Sequence, residues 1–100
     1  MKPNSPEKAR LERKLRICNK LGLHARAAAK LVTTAAAFEA EVRVRKDGRE
    51  VSGKSIMGVM MLAAACGSTI TLIAEGPDAQ QALDELEALV QNRFLSLIHI

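Results

Sequence analysis

One hundred residues fit a single domain, because one hydrophobic core organises roughly 100–200 residues, and this length excludes a multidomain enzyme. Apolar residues at 48% and charged residues at 26% are ordinary globular usage, which argues against a disordered chain or a coiled-coil rod. Aromatic residues make up only 2%, with no Trp and no Tyr, so the core is expected to be built from Ala, Leu, Val, Ile and Met, without stacking platforms for single-stranded nucleic acid.

The net charge of +4 is unevenly spread. Residues 1–20 carry seven Lys or Arg against Glu7 and Glu12, and the remaining chain carries eight against nine acidic residues. The basic excess therefore reads as a short solvated segment at the start of the chain, with residues 1–11 a mobile basic leader, and no nucleic-acid partner is expected from it. The longest apolar stretch, Ile56–Cys66, is broken by Gly58 and is well short of the roughly 20 residues of a membrane span. A basic start without a following apolar region does not make a signal peptide, so the expected location is the cytoplasm, without membrane insertion. Cys18 and Cys66 make neither a disulfide framework nor a zinc-ligand spacing, and both are read as reduced, semi-buried fillers.

Along the chain, Leu15, Ile17 and Asn19 alternate with Lys14, Arg16 and Cys18, the pattern of a half-buried first strand. After the connection Lys20–His24, the Ala-rich stretch from Ala25 to about Ala37 repeats apolar positions at Ala28, Leu31, Val32 and Ala35, which predicts a first helix. Ala40, Val42 and Val44 alternate with Glu41, Arg43 and Arg45, and Asp47-Gly48 separates them from a run containing Val51. That is a hairpin signal. Ser55 precedes a short second helix with Ile56, Val59, Met60 and Ala63, closed by Cys66-Gly67-Ser68. Ile70, Leu72 and Ala74 mark a fourth strand. Gly76-Pro77-Asp78 ends it, and Ala82, Leu83, Leu86, Leu89 and Val90 mark a long third helix with Glu85 and Glu87 off its apolar stripe. The order β-α-β-β-α-β-α predicts an α+β fold with helices on one face of an antiparallel sheet.

Gly22-Leu-His-Ala-Arg26 sets a histidine at a strand-to-helix junction, where unpaired amides and the positive dipole end attract an anion. A neutral imidazole can attack phosphorus and form a covalent intermediate. Arg26 adds paired donors suited to phosphoryl oxygens.

Two separated motifs, Asn19-Lys-Leu-Gly-Leu-His-Ala-Arg26 and Gly53-Lys-Ser-Ile-Met-Gly-Val-Met-Met-Leu62, make the chain resemble the HPr family of histidine-containing phosphocarriers of the bacterial phosphoenolpyruvate-dependent phosphotransferase system. The resemblance covers residues 12–94, and residues 95–100 are foreign to the family's ending, an apolar extension or an artificial scar; His99 is assigned no chemistry. The resemblance implies an open-faced β-sandwich with four antiparallel strands and three helices on one side. It implies that enzyme I phosphorylates Nδ1 of His24, that Arg26 supports the phosphoryl group, and that a IIA-type protein accepts it for sugar uptake or nitrogen-related regulation. No cofactor or metal is implied for the carrier itself. The family usually has proline after this arginine, where Ala27 stands here, so the first helical turn is expected to be somewhat less rigid.

Ser55 reads as a helix N-cap from its residue type and place, without a capping box because Gly58 occupies the third helical position. The resemblance adds that, where an HPr kinase/phosphorylase exists, Ser55 is a regulatory phosphorylation site. Ile56, Met57, Met60 and Met61, with Ala25 and Ala29, are expected to form a docking rim around His24, since methionine-rich surfaces adapt to several partners. The leading expectation is thus a phosphoryl carrier rather than an enzyme. The alternative is a regulatory protein-binding module acting through the second helix and Ser55 without phosphoryl relay, against which the presence of His24 argues.

Overall fold

The computed structural model describes residues 10–92 and Phe94. Alternation and helical periodicity are realised as β1 Arg10–Arg16, α1 Ala25–Ala36, β2 Glu41–Lys46, β3 Arg49–Ser52, α2 Ile56–Met61, β4 Thr69–Glu75 and α3 Ala79–Gln91. The strands form one sheet in the order β1-β4-β2-β3, with β4 antiparallel to both β1 and β2, and β2 antiparallel to β3. Four antiparallel strands with three helices packed on one face make the open-faced sandwich expected from the element order.

The inward row of β4, Ile70, Leu72 and Ala74, meets Ala27, Ala28, Leu31 and Ala35 of α1 and Ala82, Leu83, Leu86 and Val90 of α3 in one buried cluster. Alanine on these helix faces lets them lie close to the sheet, and burial of the larger side chains contributes roughly 1.5–3 kcal/mol each. Ile73 is buried on the opposite face, between its cross-strand neighbours Glu12 and Arg43. That face carries a network in which Arg43 pairs with Glu41 and Glu50 while Arg45 pairs with Glu12 and Glu50. Long charged side chains can cover apolar surface with their stems while their heads stay in water.

Two boundaries differ from the sequence reading. The first strand lies at Arg10–Arg16 rather than around Leu15–Asn19, so it begins inside the segment read as leader. The inward-register position that obscured it is Arg13, an apolar place held by a cation because Nη1 reaches Asp84 and Glu87 of α3, each at 2.8 Å. The alternation continues past the ladder through buried Ile17 and Asn19, which drew the expected strand too far along the chain. Phe94, the last residue of the segment that resembles the family, is buried, and its N–H donates to Leu89 O at 2.9 Å. The rest of the leader, residues 1–9, and the terminal segment 95–100 with His99 lie outside the described residues.

The hairpin forms where Asp47-Gly48 stands, both with positive φ (53° and 82°), as a type I′ turn requires. At the far end of the sheet, the Asp78 carboxylate accepts from the amides of Glu39 at 2.9 Å and Ala40 at 2.8 Å. It thereby ties the α1–β2 connection to the start of α3.

Candidate functional site

His24 is the N-cap of α1, with extended backbone (φ −75°, ψ −179°), and its Nδ1 accepts from the Arg26 amide at 3.2 Å. An imidazole here replaces the usual Ser, Thr, Asp or Asn cap. Because Nδ1 accepts, it is the unprotonated nitrogen and the neutral ring carries its proton on Nε2. The helix behind it is twelve residues long, enough to present a developed positive end.

The loop leading to His24 is held from two sides. Asn19 Nδ2 donates to Gly22 O at 2.6 Å, and Gly22 N returns a bond to Asn19 O at 3.1 Å. Leu23 N then donates to Ala64 O, in the α2–β4 connection, at 2.8 Å. Gly22 adopts φ +70°, and a Cβ on it would stand 2.3 Å from Ala64 O, so only glycine lets the two segments meet this closely. Asn19 is buried, and its Oδ1 has no partner among the described residues. The sequence reading counted Asn19 as a strand residue of the motif and had no signal for Ala64.

A depression of about 270 Å³ opens beside the ring, lined by Asn19, Lys20, Leu21, His24, Arg26, Ala27, Lys30 and Phe94. It falls just below the roughly 300–1,000 Å³ of small-molecule pockets. Three of its lining residues are cationic and none is acidic. Lys30 donates to Phe94 O at 2.6 Å, while the Arg26 guanidinium makes no salt bridge among the described residues. Lys30 and Phe94 were not expected here; Lys30 lies one helical turn beyond Arg26 on the same side of α1, a spacing visible in the sequence.

Ser55 caps α2 as expected, its Oγ accepting from Gly58 N at 3.1 Å. Val59 is the only α2 residue that is buried, whereas Ile56, Met57, Met60 and Met61 are exposed, Met57 at 70%. Ala25 is exposed and Ala29 half-buried. Leu21, which the sequence reading left out of the rim, is the most exposed large apolar residue among the described residues, at 73%, and lines the depression itself. The cysteines require a correction: both are exposed, not semi-buried fillers. Cys18 lies on the polar side of the β1 alternation, and Cys66 is in the turn before β4. Among the described residues no helix is long and apolar enough to cross a membrane.

The family model described as "PTS HPr component phosphorylation site" matches residues 11–92. A phosphocarrier protein HPr of Cupriavidus necator is 58% identical over 84 residues, covering 84% of this chain and 94% of that relative. A phosphocarrier protein NPr of Shewanella violacea is 48% identical over 85 residues, 85% and 93% of the two chains. The crystal structure of HPr-C-His from Thermoanaerobacter tengcongensis superposes with a TM-score of 0.82 at 43% identity, covering 84% of this chain and 94% of that one. The family match and the open-faced sandwich together mark a small phosphocarrier of the phosphotransferase system. The chain belongs to the HPr family.

Proposed function

We propose that His24 bears the phosphoryl group of this carrier, receiving it from phospho-enzyme I and passing it to a IIA-type protein in the cytoplasm, for sugar uptake or nitrogen-related regulation. The observation that carries the reading is the contact of Nδ1 with the Arg26 amide at 3.2 Å, at a helix N-terminus beside a depression with three cations and no acid. In the transfer the Nδ1 lone pair attacks phosphorus while the bond from phosphorus to the donor enzyme breaks, its electron pair staying with the donor. The Arg26 amide loses its nitrogen acceptor in that step, and a phosphoryl oxygen takes its place. The Arg26 guanidinium, free of carboxylate partners among the described residues, adds charge-assisted donors to the same oxygens.

Docking of both donor and acceptor is assigned to the exposed apolar rim of Ile56, Met57, Met60 and Met61 with Ala25 and Ala29, since adaptable methionines suit successive partners. Ser55 is assigned as a regulatory phosphorylation site for an HPr kinase/phosphorylase. Its Oγ is the α2 cap, so a phosphate there would stay favourably at the helix start while placing a dianion within the docking rim.

Incubation with phosphoenolpyruvate and enzyme I is expected to give one acid-labile phosphate per chain, absent from His24→Ala and formed on the order of 100-fold more slowly in Arg26→Ala. Labelling of His24→Ala at the wild-type level would overturn the assignment.

A further inference from the structure

Beyond the end of the β1–β4 ladder the two chains stay clamped together, and the clamp sets the only two cysteines of the sequence against each other. Up to Arg16↔Thr69 the pairing is one residue to one residue. At Ile17 this changes: Ile17 N donates to Ser68 O at 2.8 Å, and Ile17 O accepts from Gly67 N at 2.8 Å. Two residues therefore oppose one, a β-bulge with Gly67 at φ +92°, a conformation open to a residue without Cβ. An unbroken ladder would set Cys18 opposite Gly67. The extra residue moves the register by one and sets it opposite Cys66.

The distances agree with that register. Cys66 Sγ lies 3.9 Å from the main-chain oxygen of Cys18, and the Cys18 thiol turns to Arg16 O at 3.3 Å. Both side chains are exposed. Cys66 stands in the turn closed by Ser68 N on Ala65 O at 2.9 Å, with its Sγ against the Cys18 main chain, and a disulfide bridges Cα atoms roughly 4.4–6.8 Å apart.

We propose that Cys18 and Cys66 are a thiol pair that closes to an intramolecular disulfide by exchange with a low-molecular-weight disulfide of the glutathione class. The thiolate of Cys66, its proton lost to solvent, attacks one sulfur of glutathione disulfide and expels a glutathione thiolate. Rotation of the Cys18 side chain away from Arg16 O brings its thiolate onto Cys66 Sγ, which forms the Sγ–Sγ bond and expels the second glutathione thiolate. Two protein thiols are oxidised, one glutathione disulfide is reduced to two glutathiones, and the two protons end on those glutathiones. The bond joins the segment of Asn19, which holds Gly22, to the segment of Ala64, which holds Leu23. It therefore locks the two walls of the loop that carries His24.

The test equilibrates the purified full-length chain with mixtures of glutathione and glutathione disulfide and reads intact mass, free thiols and melting temperature. Expected in the oxidising mixtures are the loss of two hydrogens, a Cys18–Cys66 linked peptide, and a melting temperature raised by about 10 °C, all reversed by dithiothreitol. Cys18→Ser and Cys66→Ser should each hold one glutathione adduct and show no such rise. A wild-type chain that keeps two free thiols, accumulates glutathione adducts or links to a second copy in the same mixtures overturns the proposal.

Discussion

The Nδ1 of His24 and the amide of Arg26, 3.2 Å apart, give one nitrogen two uses. In the resting carrier it caps α1; in the proposed relay it bonds phosphorus, and it cannot do both at once. The two uses separate by mutation. His24→Ala removes cap and chemistry together and is expected to lower stability by about 1 kcal/mol. His24→Asn removes the chemistry but restores a good capping oxygen, so its stability should stay within about 0.5 kcal/mol of wild type. Urea midpoints check the first quantity and phosphohistidine formation the second. An Asn variant as unstable as the Ala variant would mean that Nδ1 contributes no capping.

Gly22 sets how closely the His24 loop lies on the α2–β4 connection. Alanine there meets Ala64 O at 2.3 Å and Ala65 Cα at 2.8 Å while holding φ +70°. Both obstacles are backbone, so no side-chain rotation relieves them. Gly22→Ala is expected to cost at least about 2 kcal/mol and to slow phosphorylation more than Gly48→Ala, whose added Cβ meets nothing within 4 Å. Equal transfer rates in the two variants would show that the loop's seat does not matter to the imidazole.

What the sequence made legible was local. The Asp47-Gly48 turn and the periodicities of α1 and α3 depend on residues within a few positions of one another, and each appears in the structure where it was expected. The His24–Arg26 pair was legible for the same reason, and the resemblance to the family tied it to the Ser55 segment. What was hidden depends on distant partners. Arg13 faces inward because Asp84 and Glu87 lie on α3, so the alternation of β1 was broken and its first residues were read as leader. Ala64 backs the His24 loop through its carbonyl alone, which no side-chain pattern announces. The cysteines meet because a bulge at Gly67 changes the register by one, and no reading of alternation in β1 contains that step.

Ala63 follows the last turn of α2 with φ 53°, at the place where helices commonly end in a left-handed glycine. Its side chain is exposed, so removing the methyl group forfeits little burial. The left-handed conformation costs an L-residue about 1–2 kcal/mol, and the extra freedom of glycine in the unfolded chain returns part of that. Ala63→Gly is expected to raise stability by about 0.5–1 kcal/mol, read as a higher urea midpoint at unchanged slope. A lower midpoint would contradict this account of the α2 terminus.

Asp78 connects acid sensitivity to the α1–β2 connection. Its carboxyl is held below the usual aspartate range, first by the Glu39 amide and then by the Ala40 amide, with Lys54 adding a smaller attraction and desolvation opposing them. Asp84 is shifted in the same direction, chiefly by its hydrogen bond to Arg13. For a carboxyl lowered on folding, the unfolded chain binds the proton more readily. The stabilisation is therefore complete above the ordinary aspartate value of about 3.9 and is lost as pH falls through the lower folded value. The wild-type urea midpoint should accordingly drop on acidification below about pH 4. Asp78→Asn keeps an acceptor for one of the two amides but has no carboxyl to titrate, so it should start from a lower midpoint near neutral pH and show a shallower acid decline. Parallel declines for wild type and Asp78→Asn would place the acid sensitivity elsewhere. In that case Asp84→Asn, which unlinks Arg13 from one of its two partners on α3, is the variant whose slope should change.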